Sequence, residues 1–250
     1  MRFTASRRGR SSTWTEVPHI TYVDAVDVSE LERLREHLNN EPAASRGVRL
    51  TLLPFIAKAI ALACAEQPRL NAHYDASTET LTTFDAVDLG VATQTDQGLL
   101  VPVIRDVGSR GLRNLAAELA RVTQAARDGS ATRHELIGST ITVTSLGAIG
   151  GLVTTPILNA PEVAIVGVNK IEIRPVWHNG AFEPRQMLNL SSSFDHRMRT
   201  VPRTRSRTLP SSSSSRHRAP VARSRLPERG RRVRSIRRGR RARTPECQSR

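Results

Sequence analysis

The sequence predicts an α/β fold, a two-layer sandwich in which helices cover a mixed β-sheet. Helical and strand patterns alternate along the chain, and late in the chain a long Val- and Ile-rich strand and its return strand flank an Asn-Gly pair typical of a hairpin turn. The length of 250 residues suffices for one sizeable core or for two small ones. We predict a domain over residues 17–198, a basic lead-in over 1–16 and a tail over 199–250.

The domain begins with a strand followed by two helices. His19–Val28 alternates apolar and polar residues, which predicts a half-buried strand. Ser29 and Glu32 have the spacing of a capping box at the start of the next helix. Residues 50–68 form a broad-faced apolar pattern that ends in proline, which predicts a helix of the core.

Strands predominate in the rest of the domain. One further amphipathic helix is predicted over residues 111–129, closed by its last glycine. A β-branched strand then runs into the glycine-rich turn "SLGAIGG", and "NGAF" connects the two long strands. The predicted strands are residues 79–84, 87–95, 99–107, 139–145, 161–177 and 186–194.

The positive charge of the chain belongs to its tail. Of the net charge of +15, residues 199–250 account for all the excess, because they contain 18 arginines and two acids while residues 1–198 are nearly neutral. The tail has few residues to bury, which predicts disorder. Its arginines could bind nucleic acid or another polyanion non-specifically. Since the tail has no aromatic residue to stack on bases, we do not expect a nucleic-acid partner.

Composition and motifs exclude several other classes of site. Two cysteines form neither a disulfide framework nor a metal site, and no apolar run approaches the length of a transmembrane helix. The chain has no phosphate-binding loop, no dinucleotide fingerprint and no hydrolase nucleophile elbow. We predict a cytoplasmic protein; the Arg- and Ser-rich start leaves a transit peptide, and hence the mitochondrial matrix, as the alternative.

Two places in the sequence carry groups suited to catalysis. His196 follows an apolar strand, between Asp195 and Arg197, where an imidazole that titrates near neutrality can act as a general base. Thr144 or Ser145, beside the glycine-rich turn, can donate a hydrogen bond to a developing oxyanion. Considered alone, the histidine is better explained by local hydrogen bonds, and the threonine by its preference for strands.

Five separated motifs, in this order, resemble the catalytic domain of the dihydrolipoamide acyltransferases, the core components of 2-oxoacid dehydrogenase complexes. The resemblance runs from about Pro18 to Met198. The motifs are "VPHITYVDAVDVSELERLR", "DLGVATQTDQGLLVPVIRDV", "TVTSLGAIGG", "TPILNAPEVAIVGVNKI" and "SFDHR".

The resemblance implies a fold like that of chloramphenicol acetyltransferase and a reaction that moves an acyl group between a dihydrolipoyl thiol and coenzyme A. His196 matches the family's catalytic histidine, which takes the proton from the attacking thiol. Thr144 matches the residue that binds the oxyanion, 52 positions earlier. In the family these two groups meet across the subunit interface of a trimer.

The family also implies partners and cofactors. Trimers assemble into large cubic or dodecahedral cores, which bind decarboxylase and dihydrolipoamide dehydrogenase components. The only lysines, Lys58 and Lys170, lie within the catalytic-domain pattern, so we expect the lipoyl group to come from another domain or chain. The acyl group remains open among acetyl, branched-chain and succinyl, and no metal is expected.

The chain departs from the family pattern after the histidine. The family continues with Asp-Gly at the positions of Thr200 and Val201, and it has leucine at the position of Ser192. The lead-in matches the family only loosely. We interpret the switch to arginine-rich sequence as a truncation or frameshift, with a natural basic extension as the alternative, and we expect impaired activity.

Two other functions are kept as alternatives. A chloramphenicol-type acetyltransferase would share the fold and the histidine, although "NAPEVAIVGVNKI" and "GLLVPVIRDV" fit the oxoacid complexes better. Polyanion binding through the tail is the second alternative.

Overall fold

The structure is a computed structural model that describes residues 16–41, 47–145, 147, 150–198 and 234–237. The helices are α1 (Ser29–Asn40), α2 (Leu53–Glu66) and α3 (Leu112–Arg127). The strands are β1 (His19–Asp27), β2 (Ala72–Asp75), β3 (Thr80–Thr83), β4 (Leu89–Thr95), β5 (Gly98–Leu100), β6 (Val103–Ile104), β7 (Ile141–Ser145), β8 (Ala164–His178), β9 (Ala181–Asp195) and β10 (Arg234–Arg237).

A seven-stranded mixed sheet forms one layer of the domain. Its order is β1-β9-β8-β7-β4-β5, with β6 also paired to β4. Strand β7 is parallel to both of its neighbours, and the other pairs are antiparallel. A second sheet has the order β10-β3-β2. The prediction of an α/β sandwich with a mixed sheet is therefore confirmed.

The hydrophobic core lies between the large sheet and the helices. Helix α2 begins with Pro54 in its first turn, where a missing amide hydrogen has no cost, and it buries one apolar side. The core cluster includes Ile56, Ile60 and Cys64 from α2, Leu115 and Val122 from α3, and Leu89, Val91, Ile141 and Val143 from the central strands. None of the helices in the described part of the chain is long and apolar enough to span a membrane.

The hairpin of β8 and β9 forms as the sequence predicts. Asn179 and Gly180 both have positive φ, 50° and 89°, which a two-residue hairpin loop of type I′ requires. The 15-residue strands it connects are the longest in the sheet. This hairpin places Asp195, the last residue of β9, beside the start of β8.

The predicted capping box at the start of α1 is wrong. Ser29 is the first residue of the helix instead of the residue that precedes it, and Val28 occupies the capping position without a side-chain hydrogen bond. The Ser29 hydroxyl instead accepts a hydrogen bond from the backbone N of Gln186 in β9, at 2.9 Å. Glu32 is buried and binds Arg35, with a shortest distance of 2.7 Å.

Two strand predictions also need correction. The predicted strand over residues 99–107 is divided into β5 and β6 around Pro102, which has no amide hydrogen for a strand ladder. Strand β2 was not predicted, because its four residues show no clear alternation and it forms by pairing with β3. The predicted closure of α3 holds, since Gly129 has a φ of +70°.

The ends of the chain lie mostly outside the described residues. The predicted lead-in falls there except for its last residue, and so does the predicted disordered tail except for residues 234–237. These four residues form β10, antiparallel to β3, with Arg234 opposite Thr83. For them the structure has a strand where the sequence predicts disorder.

Strand β9 has one apolar face and one buried polar face. Leu190 and Phe194 pack against the core, and Ser192 lies between them on the same face. On the other face Ser191 is fully buried, and its Oγ accepts a hydrogen bond from Asn169 Nδ2 at 2.8 Å. The inward-facing serine therefore occupies a position suited to an apolar side chain.

Replacement of Ser192 by leucine should stabilise the domain by about 1 kcal/mol, because it adds apolar surface on the core side of β9. Urea unfolding measures the change. Ser191→Leu is the matched control on the opposite face and should destabilise the domain, since it breaks a buried hydrogen bond and overfills the site. Equal effects of the two leucines would contradict the assignment of the faces.

Candidate active site

The Asp-His-Arg segment forms a tight turn at the end of β9. His196 opens a single turn of 3₁₀-helix, His196–Met198. Its backbone N donates a hydrogen bond to Pro18 O at 2.9 Å, and the backbone N of Asp195 donates to Val163 O at 3.0 Å. The turn is thus tied to the segments that precede β1 and β8, and the His196 side chain is exposed.

Asp195 and Arg197 close this turn around the histidine. The carboxylate of Asp195, only 3% exposed, accepts hydrogen bonds from Arg197 N at 3.0 Å, Nε at 2.9 Å and Nη2 at 2.6 Å. The hydrogen bonds that the Arg197 guanidinium donates to Asp195 raise the pKa of this guanidinium above its usual range, so it stays charged. The residues on either side of His196 are therefore held rigidly.

The ring of Tyr74 packs against the guanidinium of Arg197. The Cζ atom of Arg197 lies 4.6 Å from the centroid of the Tyr74 ring, within the range of a cation–π interaction. Tyr74 belongs to β2, and its backbone N donates to Pro161 O at 2.9 Å. No sequence pattern predicts this contact, because Tyr74 is far from Arg197 along the chain.

Thr144 and Ser145 lie at the end of β7. Thr144 is half-buried and pairs with Ala92 on one side and Gly167 on the other. Gly167 is required there, since a Cβ atom would lie 2.9 Å from Ser191 O. The Ser145 side chain is exposed, and its Oγ accepts a 3.3 Å hydrogen bond from the N of residue 147.

A single subunit does not bring Thr144 and His196 together. Thr144 is level with Gly167 of β8, which is level with Ser191 of β9, and His196 follows five residues later. With strands spaced by about 4.8 Å and a rise of about 3.3 Å per residue, the two Cα atoms lie roughly 20 Å apart. A site that uses both residues needs a second copy of the chain.

A buried carboxyl lies next to the backbone segment that binds the amide of Asp195. Glu162 is 4% exposed, and its Oε1 accepts hydrogen bonds from Ser139 Oγ and from Asn159 Nδ2, the latter at 2.7 Å. Burial raises the pKa of Glu162 to about 7. Its Oε2 and the buried Thr142 Oγ1 make no hydrogen bond of good geometry with any described residue. Sequence reasoning missed this cluster, because a lone glutamate after proline carries no pattern.

The described residues contain no group of three or more His, Cys, Asp or Glu side chains that could hold a metal ion.

Comparison with known proteins identifies the family. Residues 7–200 match the model of the 2-oxoacid dehydrogenases acyltransferase family (catalytic domain). The chain belongs to this family. The match includes both Thr144 and His196 and ends three residues after the last residue of the Asp-His-Arg motif, which confirms the resemblance seen in the five motifs.

Curated and structural relatives agree with the family assignment. The chain is 53% identical over 182 residues to the lipoamide acyltransferase component of the branched-chain alpha-keto acid dehydrogenase complex from Pseudomonas aeruginosa, covering 73% of this chain and 42% of that protein. It thus spans less than half the length of this relative.

Two solved structures share the fold. The dihydrolipoamide acetyltransferase of Azotobacter vinelandii superposes with a TM-score of 0.73 at 43% identity, covering 76% of this chain and 78% of that one. The cubic core of the pyruvate dehydrogenase multienzyme complex gives the same values. The fold is that of an acyltransferase core domain.

Proposed function

We propose that this chain is the catalytic domain of a dihydrolipoamide acyltransferase, which moves an acyl group between a dihydrolipoyl thiol and coenzyme A in a 2-oxoacid dehydrogenase complex. One observation carries the proposal. The Azotobacter vinelandii structure concerns a serine, a histidine 52 residues later and an asparagine four residues further, in the catalytic mechanism of that enzyme. Thr144 and His196 have the same spacing and equivalent chemistry.

The proposed reaction uses these two side chains directly. The His196 imidazole removes the proton from the thiol of coenzyme A, and the sulfur attacks the carbonyl carbon of the acyl-dihydrolipoyl thioester. The Thr144 hydroxyl donates a hydrogen bond to the oxyanion of the tetrahedral intermediate. Collapse of the intermediate breaks the bond to the dihydrolipoyl sulfur, which takes the proton back from the imidazolium.

The separation of the two residues supports a site formed by two copies. Because Thr144 and His196 lie roughly 20 Å apart in one subunit, we assign the hydroxyl to one copy and the imidazole to its neighbour. A trimer within a larger core, like the cubic core among the structural relatives, provides such interfaces.

The proposed setting follows from the same activity. We propose that the lipoyl group comes from another domain or chain, and that the decarboxylase and dihydrolipoamide dehydrogenase components are partners. A cytoplasmic location is proposed, with the mitochondrial matrix as the alternative. The higher identity to a branched-chain component, 53%, than to an acetyltransferase, 43%, favours a branched acyl group.

An acyl-transfer assay that follows the formation of acyl-coenzyme A by chromatography tests this function. With coenzyme A and isobutyryl- or acetyl-dihydrolipoamide, we expect turnover that is weak and faster with the branched acyl group. His196→Ala should abolish it, because a general base contributes about 10²- to 10⁴-fold. Turnover that survives this substitution would contradict the proposal, and His37→Ala, at an exposed histidine on α1, is the control.

The residue four positions after His196 should limit the rate. The Azotobacter vinelandii enzyme has asparagine there, where the resemblance to the family implies aspartate, and this chain has Thr200. We expect Thr200→Asn to raise kcat by about tenfold, since misplaced catalytic groups lose rate steeply. Thr204→Asn is the matched control in the tail. An unchanged kcat in Thr200→Asn would rule out this residue as the cause of the weak turnover.

A further inference from the structure

Tyr74, Arg197 and Asp195 form a stack beside the proposed general base. The tyrosine ring lies under the guanidinium, with 4.6 Å between Cζ and the ring centroid. The guanidinium in turn binds both oxygens of the buried Asp195 carboxylate. Nothing in the proposed reaction uses Tyr74, so its contact with this pair needs its own explanation.

The stack controls a backbone turn as well as a salt bridge. Asp195 Oδ1 accepts hydrogen bonds from both the backbone N and the Nε of Arg197. Movement of the guanidinium would therefore disturb the hydrogen bond between Arg197 N and Asp195 Oδ1. This hydrogen bond closes the turn around His196. The Arg197 side chain is 29% exposed. The tyrosine ring that packs against it limits the access of water to the Asp195–Arg197 pair.

The strand that carries Tyr74 is held in place by hydrogen bonds. The backbone N of Tyr74 donates to Pro161 O, and Tyr74 pairs with Leu81 in β3. The preceding residue, His73, makes a 2.7 Å hydrogen bond through Nε2 to Ser139 O. Strand β2 therefore presents the ring from a fixed position between the segments that lead into β7 and β8.

Tyr74 does not belong to the main hydrophobic core. It is half-buried and is not among the residues of the core cluster or those packed against it. Its replacement by another apolar side chain should therefore leave the core intact. The effect should be confined to the residues that it contacts.

We propose that Tyr74 is a positioning residue for acyl transfer, whose ring holds Arg197 so that the Asp195–Arg197 pair fixes the turn that presents His196. This inference rests on the proposed function, because it assigns a purpose to the geometry of the general base. The face of the ring carries the interaction, and the phenol hydroxyl is dispensable.

Amide hydrogen exchange followed by NMR tests the proposal without requiring turnover. In Tyr74→Leu we expect the amides of His196 and Arg197 to exchange about tenfold faster or more, because the turn opens more often. Amides of the central strands, such as those of Val143 and Val166, should keep their rates. Tyr74→Phe should behave like the unsubstituted chain.

Tyr22→Leu is the matched control, since Tyr22 is the only other tyrosine and is 45% exposed on β1. Unchanged exchange at His196 and Arg197 in Tyr74→Leu would overturn the proposal, and so would equal acceleration of all amides, which indicates a general loss of stability.

Kinetics in the Thr200→Asn background provide the second measurement. Tyr74→Leu should lower kcat with little change in KM, and Tyr74→Phe should retain kcat; a retained kcat in Tyr74→Leu would overturn the positioning role. Failure of the proposed function is distinguishable from failure of the positioning role. The first appears as an absence of acyl transfer before Tyr74 is replaced, whereas the exchange rates report on the turn itself.

Discussion

Co-expression of equal amounts of His196→Ala and Thr144→Ala chains should restore about a quarter of the acyl-transfer activity that each variant loses. Each variant alone should be nearly inactive. Loss of the general base costs about 10²- to 10⁴-fold, and loss of an oxyanion donor costs about 10²- to 10³-fold. All chains carry Thr200→Asn so that turnover is measurable.

The expected quarter follows from the geometry of the sheet. Strand β8 separates β7 from β9, so Thr144 and His196 of one chain lie roughly 20 Å apart, and the proposed function pairs each of them with a residue of a neighbour. In a cyclic trimer, a site is intact only when the chain that supplies the imidazole is the Thr144→Ala variant and the next chain is the His196→Ala variant. Random assembly produces this pairing in about one interface in four.

Two controls make the experiment decisive. A chain that carries both substitutions, co-expressed with the Thr144→Ala chain, should restore nothing, because no copy then supplies the threonine. Mixing the two single variants after separate purification should restore activity only as fast as trimers exchange subunits. Co-expressed single variants that stay inactive, in trimers shown by native mass spectrometry to be mixed, would contradict a shared site.

Local signals in the sequence predict the parts of the fold that local forces determine. The β8–β9 hairpin follows from the Asn179-Gly180 turn and the long Val- and Ile-rich run before it, and His196 is recognisable by its place after an apolar strand. The Ser29 capping motif failed, because the helix begins one residue earlier than the motif implies and β9 provides the serine with another partner.

Features that depend on distant partners were not predictable. Tyr74 meets Arg197 after 122 intervening residues, and Glu162 meets Ser139 through the pairing of β7 with β8. Neither residue belongs to a motif with periodic spacing. The separation of Thr144 from His196 likewise depends on strand order, which hydrophobic patterns do not specify.

The stability of the domain should fall as the pH rises from 5 to 8, relative to a Glu162→Gln variant. Burial raises the pKa of Glu162 to about 7 from an ordinary value of 4.5, so the folded state binds a proton that the unfolded state releases. The stabilising contribution is complete below pH 4.5 and is lost as the pH rises through 7. At about 1.36 kcal/mol per pKa unit, the loss approaches 3 kcal/mol.

Comparison with the variant is necessary because the titration of a neighbouring histidine changes the stability of the domain in the opposite direction. His73 is hydrogen-bonded to Ser139 O beside the carboxyl, and burial lowers the pKa of its imidazole. The contribution of His73 to stability therefore increases as the pH rises toward 6.5. Glutamine retains an oxygen that can accept the hydrogen bonds from Ser139 and Asn159 and cannot ionise. The difference between the two unfolding free energies therefore isolates Glu162.

Urea unfolding at pH 5, 6, 7 and 8 measures this difference. At pH 5 the two proteins should have similar stability, and at pH 8 Glu162→Gln should be the more stable by about 3 kcal/mol. Glu79→Gln, at an exposed glutamate before β3, should follow the unsubstituted chain at every pH. Parallel curves for Glu162→Gln and the unsubstituted chain would show that the carboxyl does not titrate in this range.

The position of Glu162 makes this loss of stability relevant to the proposed active site. Val163, the next residue, accepts the hydrogen bond from the backbone N of Asp195, at the start of the turn that holds His196. Ionisation of a carboxylate buried beside this bond should loosen it before the rest of the sheet. The amides of Asp195 and His196 should therefore lose protection from exchange above pH 7 earlier than Val143 does, and Glu162→Gln should remove that difference.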